Sequence, residues 1–272
     1  MRVLLVNTSE RTGGAAVAAS RLKEALTGHG VKAKMLVRDK ERPRAGALAA
    51  TAGSLTVVGL ANKWRQQWHF LWERLVIFLH LHFKRQHLFE VDIANAGTDI
   101  TRLPEFREAD VIHLHWVNQG LLSLGSIRKI VLSGKPVVWT MHDLWPATAV
   151  CHLTLGCNKF HHRCHACKYL PQHTLSDLAA TTWTRKQRLL ANEAIAFVAC
   201  SNWLKKEARN SALLRGQTIV NIPNPIDTNF FCPGDANAAR EREGRPRDKH
   251  LILFVCQRVT NRNKGMQYLI DA

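Results

Sequence analysis

Three groups of residues in this sequence have side chains and spacings that could do chemistry. His142 lies in the segment 140–146 (TMHDLWP), at the end of an apolar run. A pair of glycines at 13–14 follows the first apolar run of the chain, and four cysteines lie within 151–167. The imidazole of His142 has an ordinary pKa near 6.5, so it can accept a proton or hydrogen-bond a sugar hydroxyl. A capping or purely structural histidine is the alternative, and the sequence leaves both open.

The glycine pair Gly13 and Gly14 lies between the first predicted strand and the first predicted helix. Glycine allows a ligand to approach the backbone closely, and the N-terminus of a helix offers free N–H groups to an anion. The pair is not a complete dinucleotide-binding fingerprint. A tight strand-to-helix turn without a ligand explains it equally well.

The four cysteines are Cys151, Cys157, Cys164 and Cys167. Four thiols this close together, ending in Cys-x2-Cys, could close a tetrahedral zinc site that orders a loop too short to have its own core. We therefore predict structural zinc, and the alternative is reduced thiols packed in a loop. Histidines nearby are spare ligand candidates: His152, His161, His162 and His165.

His113 and His115 share one face of a predicted strand, because strand side chains alternate. A metal-binding pair is conceivable there. No third ligand is evident nearby in the sequence, so we favour two core histidines.

The elements that must position these residues alternate along the chain as strands and helices. Short continuous apolar runs separated by helical stretches predict an α/β fold with a doubly wound, Rossmann-like parallel sheet. The predicted strands are 2–7, 31–37, 109–116, 136–141, 194–200, 218–222 and 251–256. The predicted helices are 14–27, 55–89, 121–132, 175–192, 202–214 and 265–272, with a loop at 38–54.

Proline-rich sequence after position 222 predicts a domain boundary. We expect one whole domain over 1–222, an interdomain linker over 223–249, and the start of a second domain over 250–272. One strand and the beginning of a helix cannot bury a core, so we expect the second domain to be incomplete.

The charge balance favours anionic partners. Lys and Arg number 38 against 21 acidic residues, a net charge of +17. The basic residues are dispersed and no common nucleic-acid motif is evident, so we expect no nucleic-acid partner. The apolar runs are too short for a signal peptide or a membrane span, which predicts a cytoplasmic protein.

The predicted helix 55–89 carries a broad stripe of large apolar side chains accompanied by cations. Such a stripe is typical of helices that lie on an anionic membrane surface. Three apolar residues off the stripe, Phe70, Ile77 and Leu81, would fit a mostly buried helix equally well. The stripe consists of Trp64, Trp68, Leu71, Trp72, Leu75, Leu79 and Phe83.

Several of these segments together resemble a known family. They are the opening strand with the glycine pair, 109–116 (ADVIHLHW), 140–146 with the cysteines after it, 198–203 (VACSNW), and 222–230 (IPNPIDTNF) with Pro233. In this order they are similar to the family-4 retaining glycosyltransferases, which have the two-domain GT-B fold. The bacterial exopolysaccharide (colanic-acid-type) branch is the closest in pattern.

The resemblance implies transfer of a sugar from a nucleotide-diphosphate donor, with retained configuration and no catalytic metal. The acceptor would be a growing cell-surface polysaccharide or a lipid-linked glycan. It implies that Arg258 and Lys264 neutralise the donor diphosphate, that Gly13 and Gly14 lie near the donor phosphates, and that His142 lies near the transferred sugar. Gln257 stands where many relatives have glycine, so the donor loop is expected to differ locally.

Because the family's remaining donor-binding motifs would lie beyond Ala272, we expect this chain to be the N-terminal half of a GT-B enzyme and to be inactive alone. We also expect peripheral association with the inner face of the plasma membrane. A non-catalytic acceptor-binding or membrane-associated module is the alternative.

Overall fold

The computed structural model describes residues 1–40, 55–57, 63–191, 193–256 and 259–272. The chain divides into two compact units, Met1–Pro225 and Ile226–Ala272. The first unit holds a seven-stranded sheet in the order β3-β2-β1-β4-β5-β6-β7, and every neighbouring pair is parallel. The predicted α/β fold with a doubly wound parallel sheet is confirmed.

The strand order reverses direction between β1 and β4, which is where ligands bind in open α/β sheets. The strands are β1 Arg2–Ser9, β2 Lys32–Asp39, β3 Leu55–Val57, β4 Val111–Leu114, β5 Val137–Met141, β6 Ala196–Ala199 and β7 Thr218–Asn221. The α-helices are α1 Gly14–Gly28, α2 Lys63–His80, α3 Pro104–Glu108, α4 Leu124–Val131, α5 Leu178–Leu190, α6 Asn202–Asn210, α7 Ala236–Arg242 and α8 Met266–Asp271.

Both faces of the sheet are covered. Along β1, Leu4 and Val6 belong to the larger buried apolar cluster, whereas Val3 and Leu5 belong to a separate smaller one. Because neighbouring side chains of a strand point to opposite faces, two clusters on one strand require a packed layer on each side. This explains why the strands read as continuous apolar runs.

Side-chain caps fix where three helices begin. Ser123, Asp177 and Ser201 each accept a hydrogen bond from a backbone N–H in the first turn, at 3.0, 2.8 and 3.1 Å respectively. Such caps satisfy donors that the helix cannot satisfy itself. They set the starting points of α4, α5 and α6.

The predicted long helix 55–89 is wrong at both ends. Residues Leu55–Val57 form β3 beside β2, and α2 ends at His80. These three residues hydrogen-bond their backbone groups to the edge of β2. Such pairing depends on the neighbouring strand, so a sequence pattern does not reveal it. After α2 the chain turns at His82 and Phe83, whose φ angles of 50° and 63° are left-handed. The part of the predicted loop at 41–54 lies outside the described residues.

In the second unit, 251–256 was expected to form a strand but has no regular secondary structure. The described part of that unit contains no strand to hydrogen-bond with, and an isolated strand leaves its backbone groups unpaired. Its side chains Leu251, Ile252, Leu253 and Val255 are exposed. The predicted helix there is confirmed as α8.

Two glycines let the chain approach α2 and α4 closely. A Cβ on Gly120, whose φ is 83°, would lie 2.6 Å from the backbone nitrogen of Phe70 in α2. A Cβ on Gly97 would lie 2.2 Å from the backbone nitrogen of Ser123, just before α4. Both distances are shorter than any real carbon contact, so only glycine permits these backbone approaches. The first approach places α2 against the loop that follows β4, and the second places the segment at Gly97 against the start of α4.

The helix α2 has inverted polarity. Its inward face carries Gln66, Glu73 and Arg74, all buried, while the stripe of large apolar side chains faces outward. Trp64 and Trp68 expose 78% and 64% of their surface. An ordinary surface helix does the opposite. The side chains of the stripe are exposed, so the alternative of a mostly buried helix is wrong for them. Ile77 and Leu81, which lie off the stripe, are buried.

Among the described helices, none is long and apolar enough to cross a membrane.

Candidate functional site

The carboxyl ends of β1, β4 and β5 meet at one edge of the sheet, and hydrogen bonds tie their loops together. The hydroxyl of Thr8 donates to the carbonyl oxygens of Trp116 and Asn118 at 3.0 and 2.9 Å. The backbone N–H of Trp116 donates to the side-chain oxygen of Asn7 at 3.0 Å. These bonds fix the loop after β4 at the end of β1.

His142 lies at this edge, directly after β5, in a row of three histidines. Its Nε2 is 3.1 Å from Nδ1 of His115, and the ring centroids of the two are 5.4 Å apart. His115 stacks in turn on His113 at 4.4 Å, and His113 hydrogen-bonds the Thr140 hydroxyl at 2.8 Å. Within the described part of the chain, each ring of the His113–His115 pair thus has one hydrogen-bond partner, Thr140 of β5 for His113 and His142 for His115, while the buried Nε2 of His115 has none.

Burial keeps this histidine row uncharged. It lowers the pKa of His113 to about 4, with the nearby His142 adding to the shift. The pKa of His115 is also well below its ordinary value, and that of His142 is lowered by burial against the opposing pull of Asp143. A neutral imidazole has one N–H donor and one bare nitrogen acceptor. His142 can therefore hydrogen-bond a hydroxyl, whereas burial disfavours its protonation.

Asp143, the residue after His142, is held by three donors from different parts of the loop region. Its carboxylate accepts from the backbone N–H of Trp145 at 2.9 Å, from Nε1 of Trp116 at 3.1 Å and from Nδ1 of His152 at 2.7 Å. Burial opposes its ionisation, but the charge and hydrogen bond of His152 keep its pKa below the ordinary value. The backbone that carries His142 is therefore rigidly placed.

A buried chain of charges continues from Asp143 to α2. His152 bridges Asp143 and Asp92, with its Nε2 2.6 Å from the Asp92 carboxylate. Although burial alone would lower the pKa of His152, the two carboxylates raise it to about 10, so the ring is charged at neutral pH. Asp92 in turn pairs with Arg74 of α2. We call Arg74, Asp92, His152 and Asp143 the buried charge chain.

Glu73 lies beside this chain. Its carboxylate accepts the backbone N–H groups of Ile93 and Ala94 at 3.0 and 2.6 Å. Burial and the neighbouring Asp92 raise its pKa to about 7, and Arg74 partly offsets them. Sequence reasoning did not identify this network, because its members come from four separate segments of the chain.

Gly13 and Gly14 lie at the same edge, at the start of α1. Gly13 has a φ of 90°, which a residue with a side chain rarely adopts, so the turn itself requires glycine. No atom lies within 4 Å of a Cβ built on either residue, so the space above them is open. One strand, β4, lies between β1, which precedes the glycine pair in the chain, and β5, which precedes His142. Of the two predicted donor-binding cations, Lys264 is exposed in the second unit, and Arg258 lies outside the described residues.

A family model described as Glycosyltransferase Family 4 matches residues 12–230, most of the chain. The chain belongs to glycosyltransferase family 4. A search of curated proteins finds no match. The region matched to family 4 contains the glycine pair, His142, the buried charge chain and the four cysteines, whereas Arg258 and Lys264 lie outside it.

The four cysteines of this family 4 chain converge on one small cavity. All four line an apolar space of about 20 Å³, together with His165 and Tyr169, which is room for about one water-sized particle. All four thiols are free, and burial raises the pKa of Cys164 to about 12 and of Cys167 to about 11. Within the described residues, no three His, Cys, Asp or Glu side chains are grouped as a ready-made metal site. Zinc binding would thus require the thiols to turn into the cavity and lose their protons, and it stays a prediction.

Metal analysis tests this prediction directly. We expect about one zinc per chain after purification in reducing, metal-replete buffer, because four thiolates complete the tetrahedral set that zinc prefers. The double variant Cys164→Ser, Cys167→Ser should lose the metal, whereas Cys200→Ser, outside the cluster, should retain it. Zinc-free wild-type protein, or equal zinc in both variants, would show that the cysteines are reduced thiols packed in a loop.

Proposed function

We propose that this glycosyltransferase transfers a sugar from a nucleotide-diphosphate donor to a growing cell-surface polysaccharide or lipid-linked acceptor, with retained configuration. The observation that carries the proposal is the rigid placement of a neutral His142 at the carboxyl edge of β5, next to the point where the strand order reverses. Exposed hydroxyls of a sugar are the partners that such an imidazole can hydrogen-bond.

In this proposal, His142 orients the transferred sugar through one hydrogen bond. His115 and Asp143 act as positioning residues, the first through its bond to Nε2 and the second by fixing the loop. The open space at Gly13 and Gly14 accommodates donor phosphates beside the free N–H groups at the start of α1. Arg258 and Lys264 are proposed to neutralise the departing diphosphate, since fixed cations stabilise an anionic leaving group.

We further propose that the protein works on an anionic membrane surface. The exposed stripe of α2 supports this, because its tryptophans and leucines form a large apolar surface on a basic protein. A membrane surface would also bring the enzyme to a lipid-linked acceptor.

Variants of His142 test the proposed catalysis. We expect His142→Ala to lower the rate of sugar transfer by about 3- to 10-fold, the effect of losing one hydrogen bond to a neutral sugar hydroxyl. His142→Asn, which keeps a donor, should be less impaired, and the exposed His173→Ala serves as the control.

The measurement uses the gene returned to a strain that lacks it. Transfer is followed with labelled nucleotide sugars on isolated membranes, together with the length of the accumulated glycan. Wild-type rates for His142→Ala would overturn the role of His142. If the wild-type gene supports no donor-dependent transfer but the protein still binds the acceptor, the alternative of a non-catalytic acceptor-binding module is correct.

A further inference from the structure

A cleft of about 330 Å³ opens beside α2, and its lining includes no member of the histidine row or the buried charge chain. Its walls come from α2, from the segment before α3 and from α4. The side chains that line it are Arg65, His69, Thr98, Asp99, Arg102 and Lys129.

The cleft has an excess of positive charge. Arg65, Arg102 and Lys129 supply three cations against the single carboxylate of Asp99. The hydrogen bond from Lys129, at 2.7 Å, and the bonds from Thr101 hold the pKa of Asp99 at about 2, so Asp99 is ionised. Burial and the charge of Arg65 lower the pKa of His69, which leaves that ring neutral. Two positive charges in excess favour a small anion in the cleft.

The cleft adjoins the exposed stripe. Arg65 lies three residues before Trp68, and His69 lies three residues before Trp72. Residues three apart are neighbours on a helix surface, so the cation Arg65 and the neutral His69 of the cleft lie beside tryptophans of the stripe. A ligand that fills the cleft and also touches the stripe must carry an anionic group and an apolar part.

We propose that this cleft binds the phosphate group of an anionic lipid whose acyl chains contact the stripe. A phosphate oxygen accepts hydrogen bonds from guanidinium and ammonium groups together, which suits Arg65 and Lys129. Arg102 adds charge at the rim, since its side chain is 82% exposed. The inference rests on the membrane contact proposed above, but not on sugar transfer.

Vesicle binding tests the proposal with a charge-matched control. The cleft variant Arg65→Gln, Lys129→Gln and the control variant Lys206→Gln, Arg209→Gln each lose two cations. Lys206 and Arg209 lie on α6, which packs on β6 and β7 at the far end of the sheet. Binding of the full chain is measured to phosphatidylcholine vesicles with and without phosphatidylglycerol.

We expect the cleft variant to bind phosphatidylglycerol vesicles at least about 10-fold more weakly than wild type, because cations held at the surface each add attraction to anionic lipid. The control should change less than about 3-fold, since its cations lie away from the stripe. Equal losses in both variants would overturn the proposal in favour of unspecific charge attraction. Wild-type protein that binds no vesicles would instead overturn the membrane contact itself.

Soluble glycerol phosphate distinguishes the source of the phosphate. Titrated into the protein without vesicles and followed by nuclear magnetic resonance, it should bind at least about 10-fold more weakly than the lipid, because it lacks the apolar part that meets the stripe. Binding as tight as to vesicles, and lost in the cleft variant, would assign the cleft to a free phosphate and overturn the lipid assignment. Neither experiment measures transfer, so its failure is separate from failure of the catalytic proposal.

Discussion

Arg74→Met is expected to lower the free energy of unfolding by about 3 to 5 kcal/mol, the usual effect of breaking a buried ion pair by removing one partner. Arg74 pairs with Asp92 and lies 3.6 Å from Glu73, and both carboxyl groups are fully buried. It also donates to the carbonyl oxygens of Leu88 and Val91, at 2.6 and 3.2 Å. Methionine fills a similar volume but satisfies none of these acceptors.

Urea unfolding measures this effect, and Arg128→Met is the control. Arg128 is an exposed arginine of α4, so its replacement should change the free energy of unfolding by less than about 0.5 kcal/mol. Adding Asp92→Asn to Arg74→Met should recover part of the loss, since it removes the negative charge that is in excess once Arg74 is gone, and His152 still pairs with Asp143. An effect below about 1 kcal/mol for Arg74→Met would mean that the buried charge chain does not hold α2 in place.

The triple variant Trp64→Ser, Trp68→Ser, Trp72→Ser is expected to weaken binding to anionic vesicles by about 100-fold or more. Each of these rings is more than half exposed in the structure. At about 25 cal/mol per Å² of apolar surface removed from water, partial burial of one ring contributes about 1 to 2 kcal/mol. Three rings together reach the expected loss.

A single pair of variants provides the matched control for this prediction. Trp68 and Trp203 expose 64% and 59% of their surface, but Trp203 lies on α6 and not on the stripe. Trp68→Ser should weaken vesicle binding, whereas Trp203→Ser should not. Equal effects would contradict a role for the stripe. If wild-type protein is a dimer and the triple variant is a monomer, the stripe binds a second copy of the chain instead.

The parallel sheet could be predicted from the sequence because its strands are buried on both faces. A continuous apolar run such as 137–141 is typical of a strand in a buried parallel sheet. His142 follows this run directly, which places it at the carboxyl edge of the sheet. The edge strand β3 could not be predicted, since three residues carry no period, and its pairing partner β2 determines its structure. The end of α2 also escaped prediction, because His82 and Phe83 adopt left-handed φ angles, which are uncommon for residues other than glycine.

The buried charge chain shows why the site could be predicted only in part. Arg74, Asp92 and His152 are far apart in sequence, and each is an ordinary polar residue in its own segment. One signal was present: on a helical projection, Glu73 and Arg74 lie away from the tryptophan stripe. Charged residues opposite a large apolar face indicate a helix whose charges point inward. Confirming this requires the partners Asp92, Ile93 and Ala94, which only the folded structure brings together.

The inverted polarity of α2 also affects how the stripe binds to a surface. The helix is already formed and anchored from within by ion pairs and hydrogen bonds, so binding at its outer face requires no folding step. A preorganised surface avoids the ordering entropy that a disordered segment loses when it binds. The same polar anchors tie α2 to the loop of His142 through Asp143. A surface bound by the stripe would therefore set the orientation of the candidate sugar-binding edge as a rigid body.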